Sequence, residues 1–138
     1  LCLILQMAMT PRACTRCLVV DEDPLVRWSL VRFLEAHCRE ARSVASGELA
    51  LALLREWPVD ILIADARLAW MTGEELVIRC QGLRPRPGVI LLAGSKIPPF
   101  PINLDHLGVI GVIEKPLVFD SLAQLLAGVP QGPGSTAA

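Results

Sequence analysis

Ile61-Leu62-Ile63-Ala64-Asp65 is a run of four apolar residues ending in a carboxylate. Ala66-Arg67-Leu68-Ala69-Trp70-Met71-Thr72 follows, then a helix-like segment that opens at Gly73. An apolar run of this length, bounded by turn signals, predicts a strand buried on both faces. A charge at its end falls where a parallel sheet opens to solvent, and open α/β sheets bind ligands at that C-terminal edge. Taken alone, Asp65 is more simply a capping or loop carboxylate. The ends of the other strands decide the matter.

Working outward, Cys17-Leu18-Val19-Val20 is a second apolar run, and it too ends in acid, Asp21-Glu22-Asp23, before Pro24. Asp23 suits an N-cap and Pro24 a first helical position. The helix runs to about residue 36, with Leu25, Val26, Leu30, Phe33 and Leu34 at helical spacing and Trp28 off that stripe. Residues 39–44 predict a more polar strand, as at a sheet edge. Ser46 caps a second helix whose apolar positions are Leu49, Leu51, Leu53 and Leu54, and Pro58 ends it. A third helix over 73–82 turns Leu76, Val77 and Cys80 inward. Val89-Ile90-Leu91-Leu92 is a fourth strand, ending at Ala93-Gly94-Ser95.

Pro98, Pro99 and Pro101 then disturb the pattern. Each proline in a helix interior costs about 3 kcal/mol, so the fourth helix is degraded to a short piece at 103–107. A fifth strand over 109–113 runs into Glu114-Lys115-Pro116, and a last helix spans 119–126. Apolar strands joined by helices predict a doubly wound α/β fold with a five-stranded parallel sheet. The order 2-1-3-4-5 is one common solution.

The 138 residues predict one domain over 16–128, and 53% hydrophobic residues suffice for a real core. Residues 1–15 form an apolar leader, too short for a bilayer span and without a basic n-region. Residues 129–138 read as a flexible tail or the start of a linker. A net charge of −1 with no basic stripe argues against direct nucleic-acid or membrane-surface binding. Five cysteines suggest no extracellular disulfide framework, and a cytoplasmic, reducing compartment fits best. Cys38 and Cys80 read as small core hydrophobes. The pair Cys14 and Cys17 precedes the first strand and lacks the second pair that a structural zinc site needs.

The strand order sets Asp21 and Glu22 beside Asp65, with Lys115 on the same rim. Carboxylates this close repel in a partly buried site. A hard divalent cation such as Mg²⁺ offsets them through oxygen ligands, and the Arg67 backbone carbonyl is a further candidate ligand. Asp65, at the end of the central strand, is the candidate nucleophile toward phosphorus. Mg²⁺ and Lys115 would stabilise charge on the transferring group. Asp23 reads as a cap, Glu114 as a solvated rim charge and Asp60 as a strand-entry residue.

The chain resembles a response-regulator receiver domain of two-component signalling from about residue 17 to 126. The resemblance rests on Leu18-Val19-Val20-Asp21-Glu22-Asp23-Pro24, Ser46-Gly47-Glu48, Asp65 with Met71 and Gly73, and Glu114-Lys115-Pro116. It implies that Asp65 is the phospho-acceptor, that Asp21 and Glu22 hold Mg²⁺, and that Lys115 contacts phosphate. It also implies that a histidine kinase or phosphotransfer protein is the donor, and an effector domain or protein the recipient of the signal. Against the family pattern, Ala93 stands where Thr or Ser is usual, with Ser95 two residues on. Val112 replaces an aromatic residue, and Ala69 replaces a proline. The acceptor chemistry is expected to survive and the usual output relay to be cut.

The alternative is a degenerate receiver acting as a phosphorylation-independent interaction module, with Trp28, Trp70 and Phe100 as exposed anchors. An aspartyl phosphatase would need a general acid close after Asp65, where Arg67 stands. A flavin site would put phosphate against Asp21-Glu22-Asp23. The chain is therefore expected to be a signalling receiver and not an enzyme.

Overall fold

Every central strand of this chain is apolar on both sides, so it must be covered on both sides. The computed structural model describes residues 14–94 and 104–128, with only the backbone of 14, 15, 104 and 105. The leader up to residue 13, Ser95, the prolines at 98, 99 and 101, Phe100 and the tail from 129 lie outside the described residues.

Five strands form one parallel sheet: β1 (Cys14–Val20), β2 (Cys38–Val44), β3 (Ile61–Asp65), β4 (Gly88–Ala93) and β5 (Val109–Glu114). Their order is β2-β1-β3-β4-β5, as expected from the sequence. The described α-helices are four: α1 (Pro24–Glu35), α2 (Gly47–Glu56), α3 (Gly73–Arg79) and α4 (Phe119–Ala127). Between β4 and β5 the described part holds only a 3-10 helix, Leu104–Leu107.

The alternation of strand side chains divides the core in two. Leu18, Val20, Leu62, Ala64, Val89 and Leu91 face Ala50 and Leu54 of α2 and Leu76 and Val77 of α3. Cys17, Val19, Ile61, Ile63, Ile90, Leu92 and Ile113 face Leu30 and Leu34 of α1 and Leu122 and Leu126 of α4. Period-two alternation thus serves two apolar layers instead of one apolar and one wet face.

Several local expectations are corrected. β1 begins at Cys14, so Cys14 and Cys17 both lie on the strand and not before it. Its polar start is paired with β2 in the register Arg16↔Glu40. The Arg16 guanidinium lies 5.3 Å from the Trp57 ring, and that of Arg42 lies 4.2 Å from it. Leu25 and Leu49 are exposed, and Ala50 joins Leu54 as an inward residue of α2. The third helix gives way at Arg79 to a 3-10 turn, Cys80–Gly82. Cys80 is buried, as expected of a small core residue, whereas Cys38 is buried but disulfide-bonded, which the sequence does not predict.

The caps follow the sequence. Asp23 accepts from the Leu25 N–H at 2.9 Å with Pro24 in the first turn, and Ser46 accepts from the Leu49 N–H at 3.2 Å. Thr72 opens α3 by accepting from the Glu75 N–H. Asp60 does enter β3, and its Oδ2 accepts from the Arg16 N–H at 2.9 Å.

Candidate functional site

Parallel pairing fixes which residues leave the sheet together. Val20 is level with Ala64, Asp65 with Leu92, and Ala93 with Glu114. The next residue of β1 is Asp21, and the residue after β5 is Lys115. All three therefore emerge at one end of the central strands.

The Lys115 ammonium lies between the two aspartates. Its Nζ donates to Asp65 Oδ2 at 2.9 Å and to Asp21 Oδ2 at 3.0 Å. Asp21 is 1% exposed, so its charge depends on partners: Lys115 on Oδ2 and the Asp23 N–H on Oδ1 at 2.9 Å. Asp65 Oδ1 accepts from the Arg67 N–H at 2.9 Å. Burial alone would lower the Lys115 pKa. The hydrogen bonds and negative charge of Asp65 and Asp21 outweigh it, and the pKa is raised. The Lys115 N–H donates to the Ala93 carbonyl at 2.7 Å, which fixes the start of its loop to β4.

Glu22 points elsewhere. Its Oε1 accepts from the Ala69 N–H in the β3–α3 loop, across the mouth of the site. That loop is closed on itself by the Arg67↔Thr72 bridge and by the Gly73 N–H on the Ala66 carbonyl at 3.0 Å. Gly73 packs so tightly beneath β3 that a Cβ there would stand 2.8 Å from the Asp65 carbonyl oxygen.

Of the residues singled out from the sequence, Asp21, Asp65 and Lys115 thus meet directly. Glu22 is held by the neighbouring loop, and Arg67 touches Asp65 through its N–H. Among the described residues no group of three or more His, Cys, Asp or Glu is arranged to hold a metal. The donor chemistry nevertheless suits Mg²⁺, which takes one or two carboxylates, keeps several waters and leaves room for phosphate oxygens. Two aspartates sharing one ammonium meet that requirement.

Sequence reasoning missed two contributors. Arg27 Nη1 donates to the Asp21 carbonyl at 2.7 Å and the Glu22 carbonyl at 2.9 Å, pinning the backbone of the acid pair. The Ala69 amide is the other. Both act through backbone groups, which every residue carries, so no side-chain pattern announces them. Trp28, on α1, is 63% exposed and Trp70, on the β3–α3 loop, 88%.

Similarity to known proteins agrees with this geometry. The chain is 29% identical over 109 residues to the transcriptional regulatory protein GlrR of Escherichia coli K12, covering 79% of this chain and 24% of that protein. It is 28% identical over 112 residues to the positive alginate biosynthesis regulatory protein of Pseudomonas aeruginosa, covering 79% of this chain and 44% of the relative. The chain thus spans less than half the length of these relatives.

Among solved structures, the CheY-like receiver domain from Methylobacillus flagellatus superposes with a TM-score of 0.75 at 21% identity. The match covers 85% of this chain and 99% of that one. The chemotaxis protein CheY4 of Vibrio cholerae gives 0.72 at 25% identity with the same coverage. Residues 17–127 match the response regulator receiver domain. With the strand order, the acid-bearing strand ends and the bridging lysine in place, the chain belongs to the response regulator receiver domain family.

Proposed function

We propose that this chain is a phospho-accepting receiver, that Asp65 takes a phosphoryl group from a histidine kinase or phosphotransfer protein, and that its response is atypical. The observation that carries the reading is the single ammonium of Lys115 bonded to both Asp65 and Asp21.

In the proposed transfer an Asp65 carboxylate oxygen attacks phosphorus, a P–O bond forms, and the P–N bond to the donor imidazole breaks with its electron pair leaving on nitrogen. Lys115 stays against the phosphoryl oxygens and offsets their charge. The residues proposed to hold Mg²⁺ are Asp21, Glu22 and Asp65 through side chains and Arg67 through its backbone carbonyl. Bound there, the ion would neutralise charge on the phosphoryl oxygens. Arg27 keeps the Asp21-Glu22 backbone in place.

The atypical response follows from Ala93 and Val112. Ala93 ends β4 without a hydroxyl to donate, and Val112 is a half-exposed aliphatic residue. A ligand moves a conformational equilibrium only by its differential affinity for the two states. A hydrogen bond to a charged group contributes roughly 1.5–3 kcal/mol, so its absence shrinks the shift about tenfold or more.

The unit proposed for this chemistry is 16–128, working in the cytoplasm and coupled to an effector domain or protein. Response regulators receive their signal from histidine kinases and pass it to effectors, and the relatives described are regulatory proteins. Among the described residues no helix is long and apolar enough to cross a membrane.

Exposed Trp28 and Trp70 favour a second reading, a phosphorylation-independent interaction module. Acetyl phosphate with Mg²⁺, followed by intact mass, separates the two. The first reading expects one added phosphoryl group on the wild type and none on Asp65→Asn. An unmodified wild type leaves the second.

A further inference from the structure

The carboxylates of the site have partners already. Lys115 and the Asp23 N–H occupy Asp21, Lys115 and the Arg67 N–H occupy Asp65, and Glu22 is bound to the Ala69 N–H. The backbone of Glu22 is pinned independently, because Arg27 holds its carbonyl at 2.9 Å and that of Asp21 at 2.7 Å. Glu22 can therefore redirect its carboxylate only by rotating its side chain. On the other side, the β3–α3 loop is closed at both ends, by the Arg67↔Thr72 bridge and the Gly73–Ala66 hydrogen bond.

We propose that the Ala69 amide is a latch on Glu22, competing with a divalent cation for the Glu22 carboxylate and so setting the affinity of the site for Mg²⁺. The inference rests on the phospho-accepting reading for the identity of the ion. With Glu22 turned to Ala69, the third acid of the cluster is withheld, and among the described residues no three-acid grouping is arranged to hold a metal. The bond is charge-assisted, the stronger class of hydrogen bond. An ion that demands near-ideal octahedral geometry gains Glu22 only once that bond is broken. Because the donor is a backbone N–H, the latch depends on residue 69 having one. Any residue but proline preserves it, and proline removes it without changing a charge.

The test is a Mg²⁺ titration of the full 138-residue chain, followed by tryptophan fluorescence, with Trp70 on the latching loop as reporter. Ala69→Pro is expected to tighten Mg²⁺ binding about tenfold, or roughly 1.4 kcal/mol. Ala69→Gly, which keeps the N–H, should stay within about twofold of wild type. A second measurement covers the case in which Ala69→Pro does not fold. Hydrogen exchange at the Ala69 amide of the wild type should be slow without Mg²⁺ and fast at saturation.

An Ala69→Pro affinity equal to or weaker than wild type overturns the latch, as does an Ala69 amide that stays protected at saturating Mg²⁺. Either result leaves the phospho-accepting reading standing if the wild type itself binds Mg²⁺. A wild type and an Ala69→Pro variant that both fail to bind Mg²⁺ overturn the latch and that reading together. Binding by the variant alone supports the latch in its strongest form.

Discussion

Lys115 holds together two acids that would otherwise repel, and one of them is almost wholly out of water. Asp21 is 1% exposed, and besides Lys115 its side chain accepts from the Asp23 N–H. Removing one member of a buried pair costs about 3–5 kcal/mol, because a charge is left behind uncompensated. The Lys115 side chain is 28% exposed, so water offsets part of that, and Lys115→Met is expected to lose about 2 kcal/mol in urea unfolding. Adding Asp21→Asn to the same chain should recover at least half of the loss. A single variant as stable as wild type would mean that the two ion pairs contribute no net stability. Gly73 is the second residue with a sharp expectation. A Cβ there would stand 2.8 Å from the Asp65 carbonyl oxygen and 2.9 Å from the Ala66 Cα, both backbone atoms that cannot swing aside. Gly73→Ala should cost about 1–3 kcal/mol, within the range for overpacking. It should also shift the backbone amide resonances of Asp65 and Ala66, and unchanged resonances there would contradict the close approach.

At the scale of elements, α3 is the shortest of the four helices, and its last inward residue, Cys80, starts a 3-10 turn. Cys80 is fully buried, and burial pushes its thiol up from 9.0 to about 11. Between those values the unfolded chain gives up the proton while the native state keeps it. The unfolded state then binds fewer protons, so stability falls as pH rises above 9, by no more than about 1.4 kcal/mol per pH unit. Buried Cys17, pushed up to about 12, adds a like loss over the same range, so urea unfolding between pH 8 and 10.5 should show both, and Cys80→Ala should remove the Cys80 share of the slope. Parallel slopes in the two proteins would assign the alkaline loss to other groups. The same helices show what the sequence made legible. Asp23, Ser46 and Pro24 announced their caps because capping is a short-range bargain between a side chain and the next turn. The inward face of α2 was less legible. Gly47-Glu48-Leu49-Ala50-Leu51-Ala52-Leu53-Leu54 puts a leucine on nearly every side, and tertiary packing chose Ala50 and Leu54 over Leu49. The early start of β1 was hidden for a related reason. Thr15 and Arg16 look like loop residues, yet Arg16 pairs with Glu40 on the edge strand and covers the Trp57 ring. Asp21, Asp65 and Lys115 were legible because parallel strands must bring their C-terminal ends to one edge. The grip of Arg27 and Ala69 on the acid pair was not, since Arg27 reaches back from α1 to two backbone carbonyls and Ala69 offers a backbone amide, groups that any residue but proline would carry at those positions.

For the whole molecule, the question is how far a change at that edge can travel. A ligand that binds only the native state stabilises it by RT ln(1 + [L]/Kd), about 2.7 kcal/mol at a hundred times Kd. Mg²⁺ with beryllofluoride, which stands in for the phosphoryl group, should therefore raise the unfolding temperature of the wild type by roughly 10 °C and that of Asp65→Asn far less. Where the added protection appears is more telling. The loops after β1, β3 and β5 touch the site directly, through Asp23, Arg67 and Lys115. The far side of β5 presents Ile110 and Val112 at 42% and 47% exposure, with no aromatic ring to carry a change outward. At the end of β4, Ala93 offers no hydroxyl to pull its loop toward a phosphoryl oxygen. Hydrogen exchange with beryllofluoride should accordingly slow at 21–23, 65–68 and 114–116 and leave 109–112 unchanged. Ala93→Thr supplies the missing donor and should extend the protection along β4 into 109–112. If the wild type already protects 109–112 as fully as Ala93→Thr does, the route outward is intact and runs through contacts other than a hydroxyl at 93 and a ring at 112.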